Sequence, residues 1–438
     1  MLIVGYVNKR YVNYQKIGAQ VKNMKDSINI GVVGLGGRGV GNLRLILRMD
    51  DVHVVSLCDL REARLKTALE AVKAAGRPMP QATTVYQEML DRKDIDAICV
   101  FSGWNEHLPL CIEAMKAGKY AATEVGGANS IEQCWETVRV SERTGMPCML
   151  LENCCYDRNE MTILNMVKQG LFGELVHAEG GYCHDLREHI ALGYERDHFR
   201  HVQNRNRCGE LYPTHELGPI AKWLNINKGN RMLTVSSIAS KARGMNAWVA
   251  ANRGADHPMA SCPFTEGDVT ITTIKCAHGE TIMLCHNTSL PRPYSRRNVL
   301  QGTKGIWSED KNCIYLEGIS ENVDCWEPID KYYEKYEHPL WKAYREGGKL
   351  MQNKEGHGGM DYLVQRAFFE AVMAGTQTPI DVYDTVSWMA VTCLSEDSIA
   401  KGGMPVPMPD FTNGRWFTRN DIVPGPYCLD EVCWKYFE

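Results

Sequence analysis

Gly34, Gly36 and Gly39 stand between an apolar run and a helical pattern, and no other feature constrains the fold of this chain as strongly. Ile28 to Val33 reads as a buried strand and Val40 to Met49 as the start of an amphipathic helix. The intervening spacing, G-x-G-x-x-G, is the dinucleotide fingerprint in its strand–turn–helix setting. The first glycine permits the tight turn, and Gly36 lets a diphosphate approach the backbone. Gly39 lets the helix pack on the strand, so that its N-terminus receives the phosphates. A second strand, His53 to Cys58, ends in Asp59, 25 residues beyond Gly34. A carboxylate there binds ribose hydroxyls and repels a 2′-phosphate, which points to NAD as the cofactor.

Strand and helix then alternate. Asp96 to Phe101, Tyr120 to Val125 and Pro147 to Glu152 read as strands, separated by helical stretches at Leu108 to Ala117 and Ile131 to Thr144. Such alternation predicts a doubly wound parallel sheet with ligands beyond the strand ends. After Lys168 the pattern changes to strand-like runs at 174–182, 233–241, 268–276, 281–287 and 299–302, with a turn at His278-Gly279. The fold class expected is therefore α/β: a Rossmann domain over 28–152, then an α+β domain over 153–438 with a large, open, mostly antiparallel sheet. C-terminal helices at 362–374 and 382–400 precede a Pro-rich tail, and residues 1–27 read as an extension that contributes little to the chemistry.

The 438 residues suit two domains. A net charge of −4 from well-mixed signs offers no stripe for nucleic acid or an anionic membrane. No apolar run approaches the roughly 20 residues of a membrane span. The seventeen cysteines include no C-x-x-C pair, so reduced thiols and a cytoplasmic location are expected. The partners anticipated are a small-molecule substrate and further copies of the chain.

Beyond the glycine loop, chemistry-bearing residues gather in Gly181-Tyr182-Cys183-His184-Asp185, in Arg200 with Tyr212-Pro213-Thr214-His215, and in Arg292-Pro293-Tyr294. Each cluster is expected in a loop after a strand. His and Tyr suit acid–base work near neutral pH, and Arg offers a planar donor fork. His184, His189, His198 and His201 follow no recognised metal spacing, so no metal is expected. A serine-nucleophile elbow and a P-loop are both missing from the sequence.

At these clusters the chain resembles the glucose–fructose oxidoreductase and inositol dehydrogenase superfamily. Dehydrogenases of that group usually carry Glu-Lys-Pro after the fifth strand; here Glu124-Val125-Gly126-Gly127 stands instead. That variant is similar to the NAD-dependent α-N-acetylgalactosaminidases of glycoside hydrolase family 109. So are Trp104-Asn-Glu-His107, Leu151-Glu-Asn-Cys-Cys-Tyr-Asp-Arg158, Gly173-Glu-Leu-Val-His177 and Gly180-Gly-Tyr-Cys-His-Asp185. The same holds for Asn206-Arg-Cys-Gly-Glu-Leu-Tyr-Pro-Thr-His215, Ser240-Lys-Ala-Arg-Gly244, Thr288-Ser-Leu-Pro-Arg-Pro-Tyr294 and His357-Gly-Gly-Met-Asp-Tyr362.

The resemblance implies cofactor contacts at Gly37, Arg38, Asp59, Trp104, Asn105, Glu106, His107, Glu124, Val125, Asn153 and Tyr212. It implies sugar contacts at Tyr182, Arg200, Tyr212, Pro213, Thr214, His215 and Tyr294. The activity implied is retaining exo-hydrolysis of terminal α-linked N-acetylgalactosamine. NAD⁺ oxidises C3, the acidified C2 proton leaves as the C1 substituent departs, water adds at C1, and C3 is reduced again. His215, supported by Tyr212, is assigned to the C3 hydroxyl, and Tyr182 and His184 to proton transfer at C2 or the leaving group. The alternative is a sugar or cyclitol dehydrogenase with net turnover, for which the usual lysine is missing.

Overall fold

The computed structural model describes residues 24–196, 198–346 and 356–437. Most of the expected N-terminal extension, up to Asn23, lies outside the described residues.

The first sheet has six parallel strands: β1 (Ile28–Val33), β2 (Val52–Cys58), β3 (Gln81–Thr83), β4 (Ala97–Val100), β5 (Tyr120–Thr123) and β6 (Cys148–Leu150). Their order is β3-β2-β1-β4-β5-β6, the doubly wound arrangement that the alternation predicts. Both central strands are apolar on each face because helices cover the two sides. The connecting helix Ile131–Thr144 has clear ends. Ser130 Oγ accepts from Gln133 N at 3.1 Å, and Gly145 closes the helix at φ +71°. The short strand β3 escapes sequence reading, since two of its three residues are exposed and it carries no apolar run.

The second sheet has nine strands: β7 (Leu175–Cys183), β8 (Met232–Ala239), β9 (Thr270–Cys276), β10 (Thr281–Asn287), β11 (Val299–Gly302), β12 (Gly305–Ser308), β13 (Cys313–Leu316), β14 (Glu327–Pro328) and β15 (Val406–Pro407). Their order is β14-β13-β12-β11-β7-β10-β9-β8-β15, antiparallel throughout except where β7 meets β10. Gly279, at φ +105°, makes the β9–β10 hairpin. The helix Thr214–Trp223 lies close against β7. A Cβ at Gly180 would meet Glu216 Cβ at 2.6 Å, so only glycine lets the two elements approach this far.

The helix Val382–Ala400 joins the two sheets. Its Thr385 hydroxyl accepts from Leu150 N at 3.0 Å in β6, and its Ser398 hydroxyl accepts from Ser237 N at 2.8 Å in β8. Fourteen of its nineteen residues are buried, and up to Thr392 every one is, which explains why that stretch lacks a polar face. Among the described residues, no helix is long and apolar enough to cross a membrane.

Candidate functional site

The ends of β1, β2, β4, β5 and β6 share one edge, and the fingerprint residues lie along it. Gly34 adopts φ +85°, and a Cβ there would sit 2.4 Å from Ser102 N. A Cβ at Gly39 would lie 2.0 Å from Gly34 O, so this glycine is what lets helix Gly37–Ile46 seat on the turn. The N-terminus of that helix has no side-chain cap, and a Cβ at Gly37 would touch nothing within 4 Å. Uncapped first-turn N–H groups facing open space suit a diphosphate. Asp59 is locked at the end of β2 by Leu35 N at 2.7 Å and Arg61 N at 2.9 Å, with the Arg64 guanidinium 3.7 Å away. These residues fit NAD.

Arg38, expected at the cofactor, is also bound to protein carboxylates. Its guanidinium donates to Glu124 Oε1 at 2.7 Å and to both Asp361 oxygens at 2.6 and 3.1 Å, so the side chain ties elements together. Asn153 donates its amide to the same Asp361 at 2.5 Å. Glu124 also accepts from Asn42 and, through its other oxygen, from Val125 N. His107 is buried against the Ser102 carbonyl at 3.0 Å, and burial lowers its pKa to about 4, so it braces the loop as a neutral ring. Asn105 accepts from Gln203 at 2.8 Å. Glu106 stands exposed beside Gly103.

Where dehydrogenases carry Lys-Pro, Val125-Gly126 makes room for an aromatic ring. Gly126 has φ +154°, outside the range of proline, and a Cβ there would strike the Trp104 indole at 2.6 Å. Trp104 in turn stacks on Tyr212, centroids 5.5 Å apart and planes at 29°. Val125-Gly126 is thus part of the wall formed by Trp104 and Tyr212.

Tyr182, at the end of β7, packs at 4.3 Å from Tyr212 and 5.6 Å from His215. Burial holds both phenols above their ordinary pKa, and the Arg200 charge partly offsets this, so each is a proton donor at neutral pH. The Tyr182 hydroxyl lies 3.2 Å from His184 Nδ1. Burial, then the charge of Arg200, lowers the His184 pKa and favours a neutral ring whose Nδ1 can accept a hydrogen bond from the phenol. The Arg200 guanidinium sits over Tyr212 at 4.6 Å, Trp104 at 5.0 Å and Tyr182 at 5.6 Å. Tyr294 is half exposed, edge-on to His184 at 5.1 Å.

His215 Nδ1 lies 2.8 Å from Glu152 Oε1, a fully buried carboxylate at the end of β6. Burial alone would raise Glu152, but the charge and hydrogen bond of His215 bring it below the ordinary range. The pairing fixes the ring through Nδ1, an arrangement of the kind that orients an acid–base histidine. Sequence reading missed Glu152 as a functional side chain. It also expected the second cluster in loops. Arg200 instead stands in the first turn of helix Phe199–Asn206, and Pro213 leads directly into the helix that starts at Thr214. Pro213 and Thr214 are buried in that turn.

Other carboxylates nearby do not form a conventional glycosidase pair. Asp185 is clamped by Arg187 at 2.8 and 2.7 Å. Glu210 and Glu216 are wholly buried, and both oxygens of Glu216 lack a partner. One cluster among the described residues has metal-ligand proximity: atoms of Glu152, Cys154 and His215 lie within 4.8 Å of one another. The Glu152–His215 hydrogen bond and a Cys154 thiol kept protonated by burial account for it.

Together, fold and site define an NAD-binding protein of oxidoreductase architecture with an acid–base cluster in its second domain. Residues 28–151 match the family model for the oxidoreductase family's NAD-binding Rossmann fold, and 156–418 match that for the glycosyl hydrolase 109 C-terminal domain. A glycosyl hydrolase family 109 protein of Stenotrophomonas maltophilia (strain K279a) is 41% identical over 419 residues, covering 90% of this chain and 91% of that one. The alpha-N-acetylgalactosaminidase of Tannerella forsythia is 38% identical over 415 residues, covering 90% and 88%. Among solved structures, levoglucosan dehydrogenase in complex with NADH and levoglucosan has a TM-score of 0.67 at 16% identity, covering 88% of this chain and 100% of that one. The chain belongs to glycosyl hydrolase family 109 and is an NAD-dependent glycoside hydrolase.

Proposed function

We propose that this enzyme releases terminal α-linked N-acetylgalactosamine with retention of configuration, through transient oxidation at C3, loss of the C2 proton with departure of the C1 substituent, addition of water at C1, and re-reduction. When bound, NAD supplies the reversible oxidation of C3. His215, oriented by Glu152, takes the C3 hydroxyl proton and later returns it. Tyr182 and His184, 3.2 Å apart, move the proton at C2 or at the leaving oxygen. Arg200 and Tyr294 hold the sugar against the Tyr182–Tyr212 wall.

The observation that carries this reading is the Glu152–His215 pair beside two neutral phenols, while Asp185 is clamped by Arg187 and Glu210 and Glu216 are wholly buried. The seventeen cysteines are free thiols, which supports a reducing, cytoplasmic setting. A terminal glycan is the expected partner, together with self-association and without nucleic acid or membrane.

The test is turnover of a nitrophenyl α-N-acetylgalactosaminide in heavy water without added NAD. Deuterium at C2 of the released sugar, protium at C3, and NADH never exceeding enzyme support the reading. Hydrolysis with no deuterium at C2 and no isotope effect at C2 or C3 would mean direct displacement. NADH accumulating with the sugar consumed would mean a dehydrogenase.

A further inference from the structure

A single carboxylate of the second domain binds both Arg38 in the glycine loop and Asn153 just beyond β6. Asp361 Oδ1 and Oδ2 accept from Arg38 at 3.1 and 2.6 Å, Oδ1 accepts from Asn153 Nδ2 at 2.5 Å, and His357 Nδ1 lies 2.9 Å from Oδ2. Arg38 follows β1 and Asn153 follows β6, while Arg38 carries the tie on to Glu124 after β5. Asp361 is 1% exposed, and its bonds to Arg38 and His357 hold its pKa below the ordinary range against the effect of burial. Its position is built. Gly359, at φ +113°, precedes helix Met360–Ala374, and Asp361 stands in the first turn, where the helix dipole favours an anion. A Cβ at Gly356 would lie 2.6 Å from Oδ2, so the backbone wraps closely around the carboxylate.

We propose that Asp361 is the latch that makes NAD non-exchangeable, a positioning residue that acts through Arg38 and Asn153. In doubly wound sheets a dinucleotide binds beyond the strand ends, and the Arg38–Glu124–Asp361 tie joins the segments after β1 and β5 there, so opening it is the proposed step that frees the cofactor. Charge-assisted hydrogen bonds to a buried carboxylate are strong, and those from Arg38 cross between domains, where they oppose separation. The inference rests on the reading of a cofactor restored in every cycle, which has no need to leave.

The experiment follows NAD release from purified enzyme by dialysis and chromatography of the retained nucleotide. Asp361→Asn should release NAD at least tenfold faster than the parent, a change corresponding to about 1.4 kcal/mol. Its turnover should then rise with added NAD. Arg38→Lys keeps the charge but cannot fork between Glu124 and Asp361, and it should release NAD at an intermediate rate. The double variant should be no faster than Asp361→Asn alone, because both changes open one tie. If Asp361→Asn fails to fold, Arg38→Lys decides alone. Parent-like NAD retention in whichever variant folds overturns the latch, and so does a parent that loses NAD in the same dialysis. Failure of the glycosidase reading would appear separately, as absent release of nitrophenol.

Discussion

The two halves of the site are built by different means. The cofactor half lies at the ends of adjacent parallel strands, and its essential groups are backbone: a turn at Gly34, a close approach at Gly39, uncapped N–H groups after Gly36. The substrate half is made of side chains from distant segments, with β7 giving Tyr182, one helix Arg200, another His215, and the end of β6 Glu152. Backbone geometry tolerates much change away from the glycines, whereas the substrate half depends on each side chain meeting a partner far off in sequence. On the proposed reading the first half binds, and the second moves protons.

The sharpest break between the halves is expected at His215. His215→Ala should lower kcat by about 10²–10⁴ while NAD content stays at the parent level, since general acid–base groups contribute on that scale. Glu152→Gln should come close to it, because an amide facing Nδ1 can impose the wrong tautomer. The two together should be little worse than His215→Ala, as residues acting as one unit are non-additive. Steady-state kinetics with nucleotide analysis of the denatured enzyme checks all three. Near-parental turnover of His215→Ala would remove it from the mechanism.

A smaller effect is expected where the halves meet. Gly126→Ala places a Cβ against the Trp104 ring and asks a non-glycine residue to hold φ +154°. The clash should displace Trp104 from Tyr212 and cost about 1–3 kcal/mol of stability, with KM rising as the wall shifts. Thermal unfolding and quenching of tryptophan fluorescence by acrylamide read it. An unchanged Tm and KM would show that the wall has slack.

How much of this was legible in the chain follows from the same contrast. The parallel sheet, the glycine turn and Asp59 were readable because local spacing encodes them. Helix Thr214–Trp223 was not, because nine of its residues are buried and it holds Gly218 and Pro219, so it shows neither an apolar stripe nor an uninterrupted helical composition. A Cβ at Gly218 would lie 2.8 Å from the Glu152 side chain, so that glycine serves the dyad and not a loop. Glu152 and Asp361 were hidden for another reason. Their partners lie 63 and 323 residues away, and no local pattern marks a carboxylate that pairs at such range. The parallel meeting of β7 and β10 within an antiparallel sheet is likewise a long-range choice.

The smallest expected effect separates His215 from its neighbour in the chain. Glu216 is fully buried with no partner for either oxygen, and burial followed by the charge of Glu210 pushes its pKa well above the usual range. Burial pushes Glu210 up to about 8 as well, although His286 pulls it down. A carboxyl whose folded-state pKa is raised favours folding fully below its unfolded value, about 4.3, and loses that contribution as pH rises toward the folded value. The parent should therefore lose stability between pH 5 and pH 8. Glu216→Gln keeps the shape and removes one titration, so its Tm relative to the parent should improve by about 2 °C between those two pH values. Any fixed cost of burying the amide cancels in that difference. An offset that stays constant or worsens at pH 8 would mean that Glu216 is ionised in the folded enzyme. It would then have to be counted with the acid–base groups beside His215 and not with the packing beneath them.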